Sequence, residues 1–131
     1  MPQSKRVLII GEKPDMVDFS DPAIPPGMNA DKVRAGLEIA MRRLRERGIE
    51  PDLVLTSTEE AAAGEVATAL ETKEYDCVVV GAGLRIVPKM TRIFETVMNA
   101  VHEHAPRARL AFNSDPEDSA AAAERQLGQG S

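Results

Sequence analysis

Four short apolar runs alternate along the chain with stretches whose apolar residues recur at helical spacing. Residues 7–10 (Val-Leu-Ile-Ile), closed by Gly11, read as a first strand. Residues 30–47 follow as a helix, with Val33, Leu37, Ala40, Met41 and Leu44 on one face. Asn29 is placed to cap its start and Gly48 to end it in a left-handed conformation. Residues 53–56 make a second strand. Ser57 and Glu60 have the spacing of a capping box, so an alanine-rich helix is expected to begin there and run to about residue 72. The third strand spans residues 76–81 and ends in the turn Gly81-Ala82-Gly83, with Leu84 and Arg85 after it. A helix over residues 88–104 buries Met90, Phe94, Val97 and Val101. Residues 109–113 form the last strand, and Asp115 with Pro116 opens a final helix that Gly128 ends. Residues 129–131 read as a frayed, flexible tail.

A strand–helix order repeated four times predicts a parallel sheet with right-handed crossovers. The expected fold is α/β: one three-layer, Rossmann-like domain over residues 1–131, with a four-stranded parallel sheet in order 2-1-3-4. The chain reverses direction across the sheet between strands one and three. Ligands of open α/β sheets bind at such a switch point, beyond the carboxyl ends of the strands. Both edges of so small a sheet need cover, and a homodimer is one way to supply it.

One segment breaks the pattern. The loop 12–28 between the first strand and the first helix far exceeds the roughly 2–6 residues usual for such a connection. It holds four prolines (Pro14, Pro22, Pro25, Pro26), three aspartates (Asp15, Asp18, Asp21) and apolar residues such as Phe19, Ile24 and Met28. Proline lowers the entropy cost of ordering a loop, and the apolar side chains give it something to pack with. It is expected to be a fixed flap beside the Gly81–Gly83 turn, serving as a lid, as cover for the sheet end or as an interface.

Composition narrows the functional classes. A net charge of -5 argues against non-specific nucleic-acid binding, which needs a basic face. The single cysteine excludes an internal disulfide, and Cys77 in a valine run reads as a small buried hydrophobe. No run approaches the about 18 apolar residues of a membrane helix, and the basic start precedes too short an apolar run for a signal peptide. A cytoplasmic protein with no membrane partner is expected.

The candidate site residues are Lys13, Gly81, Gly83, Arg85 and Asn113, all at strand ends on one edge. Glycine lets backbone approach a ligand closely, Arg85 could hold a phosphate or carboxylate, Lys13 could assist, and Asn113 could orient the ligand. The dinucleotide fingerprint is incomplete, because a third glycine is missing and the turn follows the third strand instead of the first. If there is chemistry, Asp15 or Asp18 is the candidate general base; no nucleophile elbow is present. The three aspartates do not match a calcium loop. Glu95, Asn99 and His102 form a row on one helix but point away from the sheet, toward solvent or a partner. No metal and no cofactor is predicted.

The topology resembles flavodoxins and response-regulator receiver domains, but not at their site residues. A receiver needs an acidic pair after strand one and a phosphoacceptor aspartate after strand three, where this chain has Gly11-Glu12 and Gly81. A flavodoxin stacks aromatics on its flavin, and this chain has no Trp and one Tyr. The set 18–22 (Asp-Phe-Ser-Asp-Pro), 81–85 (Gly-Ala-Gly-Leu-Arg), Phe94-Glu95, Asn99, His102, Pro106 and Phe112-Asn113 resembles a family of short bacterial proteins of unknown function. That resemblance implies no activity, only that flap, turn and Asn113 share a surface. The sequence therefore leads to binding of a small anionic or polar ligand between strands one and three. The alternative is a non-catalytic oligomerisation or interaction module.

Overall fold

The computed structural model of the chain describes residues 4–128, so the tail expected at 129–131 lies outside them. Strands β1 (Arg6–Glu12), β2 (Glu50–Thr56), β3 (Cys77–Val80) and β4 (Arg109–Phe112) form one parallel sheet in the order β2-β1-β3-β4. Among the described residues five α-helices connect and flank them: α1 (Ala30–Glu46), α2 (Glu59–Thr72), α3 (Ala82–Arg85), α4 (Thr91–His104) and α5 (Ser119–Gln126). Side chains alternate across a strand, so β1 and β3 feed two cores. Val7, Ile9, Cys77 and Val79 pack with α1 and α5 on one face. Leu8, Ile10, Val78 and Val80 pack with α2 and α4 on the other. Central strands buried on both faces are what the unbroken apolar runs required.

The structure extends or corrects the sequence reading at four places. β2 begins three residues before its apolar run, because Arg6 to Leu8 pair with Glu50 to Asp52 and draw them into the ladder. Pro51 is tolerated there because β2 is an edge strand. α2 is not opened by a Ser57 capping box. Thr58 caps it, accepting from the Ala61 amide at 3.2 Å, while the Glu65 carboxylate takes the Ser57 amide (2.9 Å) and hydroxyl (2.8 Å). The stretch after Gly81 is not a bare turn but the single helical turn α3. The expected helix from residue 88 is a 3₁₀ turn, Pro88–Met90, leading into α4.

Other local signals act as their chemistry dictates. Asn29 Oδ1 accepts from the Lys32 amide at 2.9 Å, and Gly48 takes φ 76° past the end of α1. Asp115 and Asp118 cap each other's amides around the 3₁₀ turn Pro116–Asp118, which leads into α5. α1 lies hard against that turn at Gly36, where an added Cβ would stand 2.7 Å from Pro116 Cβ and 3.3 Å from the Glu117 nitrogen. Gly36→Ala is therefore expected to destabilise by about 1–3 kcal/mol, because the proline ring cannot yield. That outweighs the about 1 kcal/mol by which alanine favours a helix interior. Urea denaturation checks it, and a variant as stable as the parent contradicts the close seating.

Candidate ligand-binding site

The carboxyl ends of β1 and β3 lie side by side, joined by Gly81 N–H donating to the Ile10 carbonyl at 2.8 Å. Two cavities open above them, beneath residues 12–28. The inner chamber is about 120 Å³. Its floor is Gly11, Gly81, Ala82 and Gly83, its α1 side is Val33 and Leu37, and Phe19, Ile24 and Met28 of the flap roof it. The outer chamber, about 170 Å³, lies among Met16, Asp18, Val87, Lys89 and Met90. Glu12, Val17 and Ile24 border both. Among the described residues, two of the three large apolar side chains left exposed sit at these rims, Ile86 at the inner chamber (39% exposed) and Met16 at the outer (48%). Apolar surface gathered at a cavity mouth marks a binding region more than a folding need.

The flap is ordered by its own turns and by ion pairs from Asp15, Asp18 and Asp21. Asp18 and Asp21 each fold the chain locally, accepting from the amides of Ser20 (3.0 Å) and Ala23 (2.9 Å), as aspartates do in turns. Asp15 pairs with Arg34 of α1 at 2.6 Å. Lys89 donates to Asp18 and lies 3.7 Å from Asp21. That lysine, with Ser20, holds the Asp18 carboxyl down to about 2. The prolines and apolar residues thus form a fixed cover.

Glu12 carries the unusual electrostatics of the site. It is the last residue of β1, half-buried at the partition between the chambers, and burial raises its carboxyl from 4.5 to about 7, against the pull of Lys89. Removing a carboxylate from water without a donor to bond it favours the neutral acid. The carboxyl makes no hydrogen bond or ion pair among the described residues. It stands where an open α/β sheet presents its ligand, and a group half ionised near neutral pH can give or take a proton.

Of the residues singled out from sequence, the structure brings Gly81 and Gly83 to the inner chamber wall and turns the others elsewhere. A Cβ on Gly81 would meet the Ile10 carbonyl at 3.3 Å, whereas one on Gly83 would meet nothing within 4 Å. Arg85 donates to the Asn113 carbonyl at 2.7 Å and stands 5.7 Å from the Phe112 ring centre. Asn113 is 3% exposed; its side chain accepts from the Ala82 amide (2.7 Å) and donates to Ser119 Oγ (2.9 Å). Both brace the turn from behind. Lys13 is exposed, its amide bound to the Thr56 carbonyl. As bases, Asp15 and Asp18 are a poor choice: Asp15 is largely exposed in its ion pair, and Asp18 is far too weak. Glu12 was the residue the sequence hid, although its place directly after the first apolar run and Gly11, at a switch point, was the available signal. Burial pushes the Cys77 thiol up to about 12, as befits a core side chain. Glu95, Asn99 and His102 are exposed on the outer face of α4. Among the described residues no group of three or more His, Cys, Asp or Glu is placed to hold a metal ion.

Fold and site together define a small α/β protein with a covered cavity at its switch point. No family model matches the chain, so the likeness to a family of short bacterial proteins stays a resemblance, and no curated protein matches either. A solved structure described as "putative lipoprotein from Peptoclostridium difficile 630 (fragment)" is similar at TM-score 0.54 and 12% identity, over 95% of both chains. At that identity the likeness speaks for the fold alone. No described helix of this chain is long and apolar enough to cross a membrane.

Proposed function

We propose that this protein binds a small molecule in the chambers between β1 and β3, under the flap 12–28. The observation that carries the reading is an apolar cavity at the switch point, roofed by an ordered loop and bordered by one unpartnered carboxyl. Ligand sites are typically apolar with few polar groups, and they favour this place in the fold. The inner chamber has room for roughly half a dozen non-hydrogen atoms, since a cavity of about 150 Å³ holds benzene. Gly81 and Gly83 offer their backbone to the ligand, while Arg85 and Asn113 hold the turn. The chamber walls favour a mainly apolar ligand with a neutral or positive polar group over the anion that Arg85 and Lys13 suggested.

Substitution of Gly83 by leucine tests this, because Gly83 lines the inner chamber and a Cβ built there meets nothing within 4 Å. A thermal-shift screen of small amines, alcohols and acids is expected to give hits on the parent protein. Gly83→Leu should fold with unchanged or slightly raised stability, helped by up to about 1 kcal/mol from helix propensity, and lose those hits. Hits that persist in the plugged variant place binding elsewhere.

A further inference from the structure

We infer that the ligand of this site is a small organic ammonium ion with a branched apolar body, its cationic head on Glu12 and its body in the inner chamber. The inference rests on the binding reading above and names the ligand class of the same site.

Strand alternation puts the Glu12 side chain on the face of Leu8 and Ile10. Four charged residues border the chambers: Glu12, Asp18, Lys89 and Asp115. Lys89 is engaged by Asp18 and Asp21 of the flap. Asp18 is further held by Ser20, and Asp115 accepts from the Asp118 amide at 3.1 Å. Glu12 alone of the four has a carboxyl with no hydrogen bond or ion pair to the described residues. The one basic group on the described walls, Lys89, is already held by the flap carboxylates, so none is left over for an anion: Arg85 serves the Asn113 carbonyl, and Lys13 lines neither chamber. A half-buried carboxyl among apolar walls is satisfied best by a ligand that brings its own N–H donors and opposite charge. The apolar walls of the inner chamber then take the hydrocarbon part.

Three probes of one shape and different heads separate the possibilities: isoamylamine, isoamyl alcohol and isovalerate. Binding is followed by NMR at the Gly81 and Gly83 amides and the Leu37 methyls, at pH 6 and pH 8. The amine stays protonated throughout, whereas Glu12, with its carboxyl near 7, goes from roughly one-tenth to nine-tenths ionised. Of the charged groups around it, Asp18 is already ionised at pH 6 and Lys89 stays protonated at pH 8, and Asp21 and Asp115 complete the set. His102 and His104 border neither chamber.

The expected result is an amine that binds about ten-fold more tightly at pH 8 than at pH 6. The alcohol should bind more weakly and without pH dependence, and Glu12→Gln should remove the amine's advantage while leaving the alcohol's affinity. Equal binding of amine and alcohol at both pH values, with the chamber resonances shifting, overturns the ammonium assignment and leaves the binding site standing. Isovalerate binding more tightly than the amine overturns it in favour of an anion. If no probe moves the chamber resonances at millimolar concentration, the site itself fails, and the assignment with it.

Discussion

Asn113→Ala is expected to cost roughly 2–4 kcal/mol of folding stability, the largest loss from any single polar side chain in the site region. Asn113 is 3% exposed and makes two side-chain hydrogen bonds that water cannot replace. Its Oδ1 accepts the Ala82 amide at 2.7 Å, and its Nδ2 donates to Ser119 Oγ at 2.9 Å. One side chain therefore ties the first amide of α3, on the chamber floor, to the first residue of α5. Alanine leaves a buried amide with no acceptor, and the penalty for an unmade buried bond exceeds the net worth of a made one. Ser119→Ala removes only the second bond, and its hydroxyl's own donation to the Pro116 carbonyl at 3.1 Å. The double variant should cost less than the two single losses added, since the shared bond is counted twice. Urea denaturation gives the energies, and hydrogen exchange at the Ala82 amide, faster in Asn113→Ala, reports the loosened floor. Strict additivity would show that the two side chains do not interact.

The second large effect is a pH profile that Glu12→Gln abolishes. The Glu12 carboxyl titrates at about 7 in the folded chain and at 4.5 when unfolded. Between those values the folded chain keeps a proton that the unfolded chain has released. Stability therefore falls as pH rises through that window and levels off above about 7. Water still reaches the half-buried carboxyl, so the swing is discounted to about 1–2 kcal/mol. Glutamine keeps the shape and cannot ionise. The variant should match the parent near pH 4, melt higher at pH 8, and show a flatter curve between. Parallel curves for parent and variant would mean that Glu12 is not held in a desolvated place. At the acid end the Asp18–Lys89 link acts with the opposite sign. Its contribution is present above about 4 and lost as pH falls toward 2.

Much of the fold was legible because the local signals agree with one another. Unbroken apolar runs gave the central strands, and Asn29, Gly48 and Asp115 marked helix ends where their side chains or backbone meet the requirement. The strand order followed from alternation and chirality. What escaped was set by distant partners. Glu50, Pro51 and Asp52 have no strand character of their own and become strand through β1. Ser57 was claimed by Glu65, eight residues on, instead of by Glu60.

The site divided along the same line. Gly81 and Gly83 were visible because a switch point follows from topology. Arg85 and Asn113 drew attention as polar groups at strand ends, but their partners are internal: Phe112 and the Asn113 carbonyl for Arg85, the Ala82 amide and Ser119 for the Asn113 side chain. Lys89 reaches Asp18 across 71 positions of sequence. The shifted acidity of Glu12 needs the flap folded back over β1, and no spacing along the chain announces that.

The central claim is that the space under the flap holds a ligand. The most direct measurement is of intermolecular nuclear Overhauser effects between a small bound amine or alcohol and the methyl groups of Ile24, Val33, Leu37 and Leu55, which line the inner chamber from the flap, α1 and β2. The account predicts cross-peaks to methyls of both the flap and α1 at once, and their disappearance in Gly83→Leu. Cross-peaks confined to the outer face of α4, or a library of small molecules that gives none to these methyls, would contradict it.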